Sequence, residues 1–374
     1  MKDLESEKAE LLALLSLPGA GVKKVGELLT LFGSPAGAWE AVRRGAGHGD
    51  SRAGGTGWRE LSGRVDPVSR LRAIESGGVT VVVKGGPGYP GLLGEIHDPP
   101  WALYCRGRPL PVGLTCVALV GSRKATPYGL EVAGWLAGGL ARAGVHVISG
   151  AAFGVDAAAH RGALAEGGFT TAVLGCGVDV VYPWSNGALF SDIESEGCLL
   201  GEYPPGTEPA RHHFPARNRV IAGMSAAVIV VEASERSGAL LTVDFALSEG
   251  REVMAVPGGV FSPNSRGTNA LIRNGAVPVT CPEDVLKELG ISREGTDGSP
   301  GPVDSLCKEW GTKERTLLDA ISGGLSDAEG LSGKTGLNAA ETVSVLSRME
   351  VEGLVTRGPG GRYYRSAPHG GKHA

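Results

Sequence analysis

From Cys116 onward the chain alternates short, β-branched apolar runs with segments of helical periodicity. The runs CVALVGS, HVISG, TTAVLGCG, CLLGEYP, AAVIVVEA, EVMAVPG and AVPVT read as strands, and a helical stretch follows most of them. Strands that are apolar on both faces and joined by helices predict a parallel sheet covered on each side. The expected core is a Rossmann-like, doubly wound α/β domain over roughly residues 110–290.

The pattern differs on either side of that core. Residues 1–45 read as short helices, with Leu17-Pro18-Gly19-Ala20-Gly21-Val22 between two apolar-periodic runs. This is a helix-hairpin-helix pattern, whose glycines expose backbone N–H groups able to meet a phosphate; an ordinary tight turn between helices accounts for it equally well. The stretch RRGAGHGDSRAGGTG, from Arg43 to Gly57, reads as a flexible connector. SREGTDGSPGP, from Ser292 to Pro302, reads as a linker. Beyond it ERTLLDAIS, DAEGLSGKTG and NAAETVSVLSRMEVEG form three helical runs and LVTRGPGGRYYR a hairpin, the order of a winged helix. The expected layout is a helical domain over 1–60 (helix-hairpin-helix, SAM-like), an extended Rossmann-like domain over 61–290, a linker over 291–307 and a winged helix over 308–366.

Charge changes the picture more than size does. With 374 residues the chain has room for two or three domains, and its net charge of −4 makes it no polycation. Any nucleic-acid contact must therefore come from a local basic patch. Six cysteines show neither CxxC pairs nor histidines at ligand spacing, so reduced, mostly buried thiols are expected rather than a zinc site or disulfides. The acidic, amphipathic start lacks a signal-peptide profile and no apolar run reaches membrane-spanning length. A cytoplasmic protein is expected.

Ligands of open α/β sheets bind at the carboxyl ends of the strands. Those ends here read Gly121-Ser122-Arg123, Ser149-Gly150-Ala151-Ala152-Phe153-Gly154, Gly175-Cys176-Gly177, Glu202-Tyr203-Pro204, Glu232-Ala233-Ser234 and Pro257-Gly258-Gly259. Small and polar residues converge on one edge, which predicts a crevice. Gly175-Cys176-Gly177 lacks the third glycine of a dinucleotide fingerprint, no acidic residue closes the second strand, and no Walker A run exists. The segment 201–223, GEYPPGTEPARHHFPARNRVIAG, sets Arg211, His212, His213, Arg217 and Arg219 around Phe214 just where a helix begins. Cations, an aromatic plate and a helix N-terminus suit a phosphodiester strand and a stacked base.

Individual residues keep alternatives. Ser122 and Arg123 suit a phosphate clamp, unless Arg123 pairs with Glu232 or Glu202. Asp156 fits a helix N-cap, with His160 one turn on; an acid–base or metal couple is the rival reading. Glu202 fits a structural acceptor for its loop better than a general base. Ser237 and Gly238 start a helix and offer N–H groups, while Arg266, Asn269 and Arg273 extend the basic edge. No nucleophile elbow, HExxH run or carboxylate pair stands out, so no catalytic residue, metal ligand or cofactor is expected.

With these residues in view, the chain resembles the DprA/Smf family of DNA-processing proteins. The resemblance runs through VALVGSRKATPYG, ISGAAFGVDAAAH, VLGCGVDVVYP, the 201–223 segment, VVEASERSGALLT, GREVMAVPGG and GTNALIRNGA, with YPGLLGEIHDPPWALYCRG as a lead-in. It covers roughly residues 85–285 closely, and the flanking domains more loosely. It implies a non-catalytic protein that binds incoming single-stranded DNA during natural transformation, protects it and loads RecA recombinase, acting as a homodimer. The family's GSR arginine falls on Arg123. Its FPxRNR aromatic and arginines fall on Phe214, Arg217 and Arg219, with Asn218 between. Gly201 stands where a serine is usual, and Ala239 where SGS is common, which loosens the assignment of Ser237 to Leu241, Gly238 included, as a contact segment. Phe214 is expected to stack, Arg217 and Arg219 to anchor, and Arg123 to reach in from another strand.

Two other readings compete. A nucleotide phosphoribohydrolase on a similar fold would carry PGGxGTxxE, whereas Pro257-Gly258-Gly259 runs into VFSPNSRGTN without that glutamate. A transcription regulator led by the winged helix would need a basic recognition helix. Residues 338–352 carry Glu341, Glu350 and Glu352 against Arg348, and the wing (Arg357, Arg362, Tyr363, Tyr364, Arg365) suits weak backbone contact or protein docking better.

Overall fold

A computed structural model describes residues 2–46, 57–291, 316–318, 320–321, 327–351, 355–357 and 362–365. The N-terminal segment is helical: α1 (Lys2–Leu15), α2 (Val22–Phe32), α3 (Pro35–Arg43), α4 (Trp58–Gly63) and α5 (Pro67–Ser76). Local chemistry sets two of these starts. Ser34 and Asp66 accept from the N–H groups of Gly37 and Ser69, each ahead of a proline in the first helical turn. In the predicted hairpin between α1 and α2, Trp58 Nε1 donates to the Pro18 carbonyl at 2.9 Å. Of the 43–57 connector, residues 47–56 lie outside the described residues.

Next come β1 (Thr80–Val83), the single turn α6 (Gly91–Gly94) and β2 (Ala102–Gly107). The doubly wound part then runs β3 (Cys116–Val120), α7 (Pro127–Arg142), β4 (His146–Ser149), α8 (Val155–Ala165), β5 (Thr170–Leu174), α9 (Gly187–Glu196) and β6 (Cys198–Gly201). It continues through α10 (His213–Met224), β7 (Ala227–Val230), α11 (Ala239–Ser248), β8 (Glu252–Ala255), α12 (Arg266–Arg273), β9 (Val277–Pro278) and α13 (Pro282–Glu288). All seven expected strands form and pair in parallel, in the sheet order β1-β2-β6-β5-β4-β3-β7-β8-β9.

The sheet is mixed rather than wholly parallel. β1 pairs antiparallel with β2, and β2 antiparallel with β6. A parallel pairing needs a long crossover, and the segment between β1 and β2 makes only one helical turn, so the chain folds straight back.

Alternation along the strands divides the core. Val117 and Leu119 of β3 face α7, α8 and α13, while Ala118 and Val120 face α10 and α11. Both faces are thus sealed by helices, as the apolar runs require. Packing crosses the boundary expected at residue 60. Ala9 and Leu12 of α1 and Leu71 of α5 pack on Val81, Ala102 and Tyr104 of the antiparallel edge, and Met1–Ser292 is one compact unit.

Arg293–Ala374 is the second unit. The 292–302 linker lies outside the described residues. Helical residues at 316–318 and 320–321 precede α14 (Ala328–Thr335), α15 (Ala339–Val351) and an antiparallel hairpin of β10 (Val355–Arg357) and β11 (Tyr363–Arg365). Leu317, Leu331, Leu346, Met349, Val355 and Tyr363 form their core. Of the wing's basic residues Arg362 is exposed; the side chains of Arg357 and Arg365 lie outside the described residues. Among the described residues no helix is long and apolar enough to cross a membrane.

Candidate nucleic-acid interface

The sheet order reverses direction at β3. Strands β4 to β6 extend to one side of it, and β7 to β9 to the other. At such a switch point the loops after adjacent strands diverge and leave a crevice at their carboxyl ends. A cleft of 720 Å³ opens there, walled by Ser122 and Arg123 after β3, by Ser237 and Gly238 ahead of α11, and by Phe214, Arg217 and Asn218 of α10. Seven of the eight residues singled out from the sequence therefore meet in one cleft. Arg219 is absent from it.

Close backbone packing builds the mouth. Gly154, with φ +75°, sits so near the Ser122 carbonyl that a Cβ there would lie 2.2 Å away, so only glycine lets the loops after β3 and β4 touch. Asn264 adds a tie from the other side, donating to the Lys124 carbonyl at 3.0 Å. Neither proposed carboxylate partner claims Arg123. Glu232 accepts from the Thr126 N–H and hydroxyl at 2.8 and 2.6 Å, and Glu202 is held by Arg219. The exposed Arg123 guanidinium lies instead over the Phe214 ring, 5.4 Å from its centroid. A cation over an aromatic face at an exposed site contributes about 0.5–1 kcal/mol, enough to bias the arginine toward the ring without locking it.

Helix geometry separates the two arginines of the FPARNR run. Residues 214, 217 and 218 share a face of α10, whereas 217 and 219 are about 200° apart around the axis. Arg217 points under the crevice floor and is 5% exposed. Its Nη1 donates to the carbonyls of Gly150, at 2.8 Å, and Val173, and its Nε donates to Asn218 Oδ1 at 3.2 Å. The expected phosphate anchor is thus a strut that holds the ends of β4 and β5 while lending its charge to the floor. Arg219, on the far side, donates to both oxygens of Glu202 at 2.6 Å and lies 3.8 Å from Asp98. Its guanidinium is committed to carboxylates, which leaves it no part in the cleft.

Buried charge is balanced beneath the floor. Burial pulls Arg217 down to about 10, opposed by Asp156 beside it. Burial raises Asp156, and Arg217 counters that. Asp156 is not the N-cap of α8: Gly154 holds that position, and Asp156 lies in the first turn, its Oδ2 accepting from the Ala152 N–H at 3.3 Å. His160 bonds Thr170 at 2.7 Å and is pushed down to about 3 by burial, a neutral core histidine rather than half of an acid–base couple. His213 is lowered by burial too. It contacts the Gly175 carbonyl through Nδ1 at 3.1 Å and stacks on Tyr203 at 4.0 Å, so it wedges the loop instead of adding a cation.

Residues 80–290 match the sequence profile of the family described as DNA recombination-mediator protein A. The chain belongs to this family. Residues 304–361 match the DprA winged helix domain, which identifies the second unit. A Mycobacterium tuberculosis relative is 43% identical over 240 residues, 63% of this chain and 61% of that one, so the chain matches only about three-fifths of that relative's length. The Escherichia coli relative Smf is 34% identical over 281 residues, 73% of this chain and 74% of its own. The X-ray structure of DNA processing protein A from Streptococcus pneumoniae superposes with a TM-score of 0.67 at 33% identity, covering 75% of this chain and 97% of that one. The Helicobacter pylori protein, whose structure concerns its single-stranded DNA binding mode, gives 0.52 at 29% identity, covering 56% and 95%.

Within this DprA-family fold the cleft holds residues that sequence reasoning left out of the site. Lys124, next to Arg123, and Arg211, just ahead of α10, are exposed cations on its lining, and Tyr182 and Asn264 complete the walls. Position at a strand end would have found Lys124, and Arg211 already stood in the basic segment. Tyr182 carried no such signal. It reaches the cleft because the chain after β5 folds back until its ring lies 5.4 Å from Phe214.

Proposed function

We propose that this protein binds single-stranded DNA in the crevice at the β3/β7 switch point, protects it and delivers it to RecA recombinase during natural transformation, working as a homodimer and without catalysis. The observation that carries this reading is the Arg123–Phe214 pair at the cleft mouth. One nucleotide presents a flat base and an anionic phosphate within a single step, and here a cation and a π-face are offered at one spot. Lys124 and Arg211 extend the cationic lining to neighbouring phosphates. Such a surface suits any base, since every base has a π-face. A duplex, with its bases already stacked, offers nothing to Phe214.

Titration of labelled single- and double-stranded oligonucleotides tests it directly. The wild type is expected to prefer single strands, and Phe214→Ala to weaken them by about 1–3 kcal/mol, the worth of one stacked base. Arg123→Ala is expected to cost about as much, through a charge-assisted phosphate contact of about 1.5–3 kcal/mol. Both variants should melt as the wild type does; unchanged affinity in both would sink the reading. Stimulation of RecA filament growth on single strands, sedimentation of the free protein, and incubation with nucleoside monophosphates, from which no free base should appear, test the remaining parts.

A further inference from the structure

A second, smaller cavity of 40 Å³ adjoins the crevice and shares Arg123, Phe214 and Arg217 with it. Tyr182 lines both, and the walls of the smaller cavity alone include Phe153 and Pro183. The next residue in the chain, Trp184, is 88% exposed, and Phe153 and Tyr182 are exposed as well. Aromatic residues make up only 5% of the sequence, yet Phe153, Phe214 and Tyr182 line this one cavity, and Trp184 follows Tyr182 by two residues in the chain. Core packing does not account for Phe153, Tyr182 and Trp184 being this open to solvent.

The rim is built, not loose. Asn186 Nδ2 donates to the Ala151 carbonyl at 3.2 Å, tying the loop that carries Tyr182 and Trp184 to the loop that carries Phe153. Ala151 itself takes φ +53°, a left-handed conformation that a non-glycine residue adopts at a cost in energy. Such strain persists where surrounding contacts over-determine it, and it gathers at ligand-binding sites. Two loops from different strand ends are therefore held so that the rings of Phe153 and Tyr182 line the cavity beside Phe214.

We propose that Phe153, Tyr182 and Trp184 form a stacking track that takes the bases of nucleotides leaving the crevice past Phe214, with Trp184 as its outermost plate. This rests on the single-strand reading of the crevice and extends it. The occupant is single-stranded nucleic acid because the track shares a wall, and the Arg123 cation, with the cleft. Rings beside a cation are the elements from which sequence-tolerant single-strand grooves are made.

The test compares the full-length protein with Trp184→Ala and Trp184→Phe on oligothymidylates of about 5 and about 16 nucleotides, the range over which single-strand sites vary. Trp184→Ala is expected to bind the long oligonucleotide about tenfold more weakly and the short one as the wild type does; one stacked base is of that order. Trp184→Phe keeps a ring and should recover most of the loss. Equal binding of the long oligonucleotide by wild type and Trp184→Ala would overturn the track while leaving the crevice reading standing. Equal weakening on both lengths would overturn it too, by placing Trp184 inside the crevice site. If the wild type binds neither length, both readings fail. A change in sedimentation of the DNA-free Trp184→Ala protein would assign the rim to a second copy of the chain and refute the proposal.

Discussion

Arg217 and Arg219 stand two residues apart and meet different partners, which separates two predictions that the motif alone would merge. Removing the Arg217 guanidinium strips hydrogen bonds from the Gly150 and Val173 carbonyls and leaves buried Asp156 without its opposing charge. Arg217→Ala is expected to lose about 3–5 kcal/mol of stability and, with the strand ends released, single-strand binding as well. Arg219→Ala leaves Glu202 unpaired on the other side of the helix. It should also destabilise, by about 2–4 kcal/mol, yet the folded fraction should bind single strands as the wild type does. Urea denaturation combined with titration normalised to active protein checks both; a binding defect in folded Arg219→Ala would return that arginine to the site. The helical period already contained this distinction, since 214, 217 and 218 share a face that 219 does not. What the sequence could not show was depth: whether a basic residue on the inner face reaches the cleft or stops at the floor depends on the strand ends it meets.

At the scale of elements, the parallel strands were readable because most of them are apolar runs buried on both faces, as in β3 to β7. β1 and β2 were not, although TVVV and ALYCRG are as apolar as their neighbours. Their direction depends on a connection of turns and a single helical turn, and direction is a property of the path between strands rather than of the strands. The same edge joins the N-terminal helices to the sheet. Leu12, 1% exposed, lies in the layer that α1 and α5 make with Val81, Ala102 and Tyr104. If the helices and the sheet are one unit, Leu12→Ala should lower stability by about 2–5 kcal/mol in a single transition seen equally by far-UV circular dichroism and by tryptophan fluorescence. An early, separate transition carrying all the loss would mean that the N-terminal helices fold apart from the sheet.

Over the whole molecule, a net charge of −4 surrounds a cleft whose exposed cations are Arg123, Lys124 and Arg211. A protein of this balance gains little from long-range attraction to nucleic acid, so affinity must arise where those three side chains meet phosphates. Each phosphate neutralised on a single strand contributes about −0.7 to the slope of log affinity against log salt, so three contacts predict a slope of about −2. Lys124→Ala should reduce the slope by about 0.7 and weaken all sequences alike, while Phe214→Ala should lower affinity and leave the slope unchanged, because stacking releases no counterions. The helix Ala339–Val351 of the second unit, with Glu341 and Glu350 against Arg348, adds no comparable source of cations. A chain lacking residues 303–374 is therefore expected to keep both the affinity and the slope of the full-length protein. If that truncation instead loses most of its affinity together with more than half of the slope, the phosphate contacts belong to the winged helix, and the cleft cations would have to be counted as bystanders.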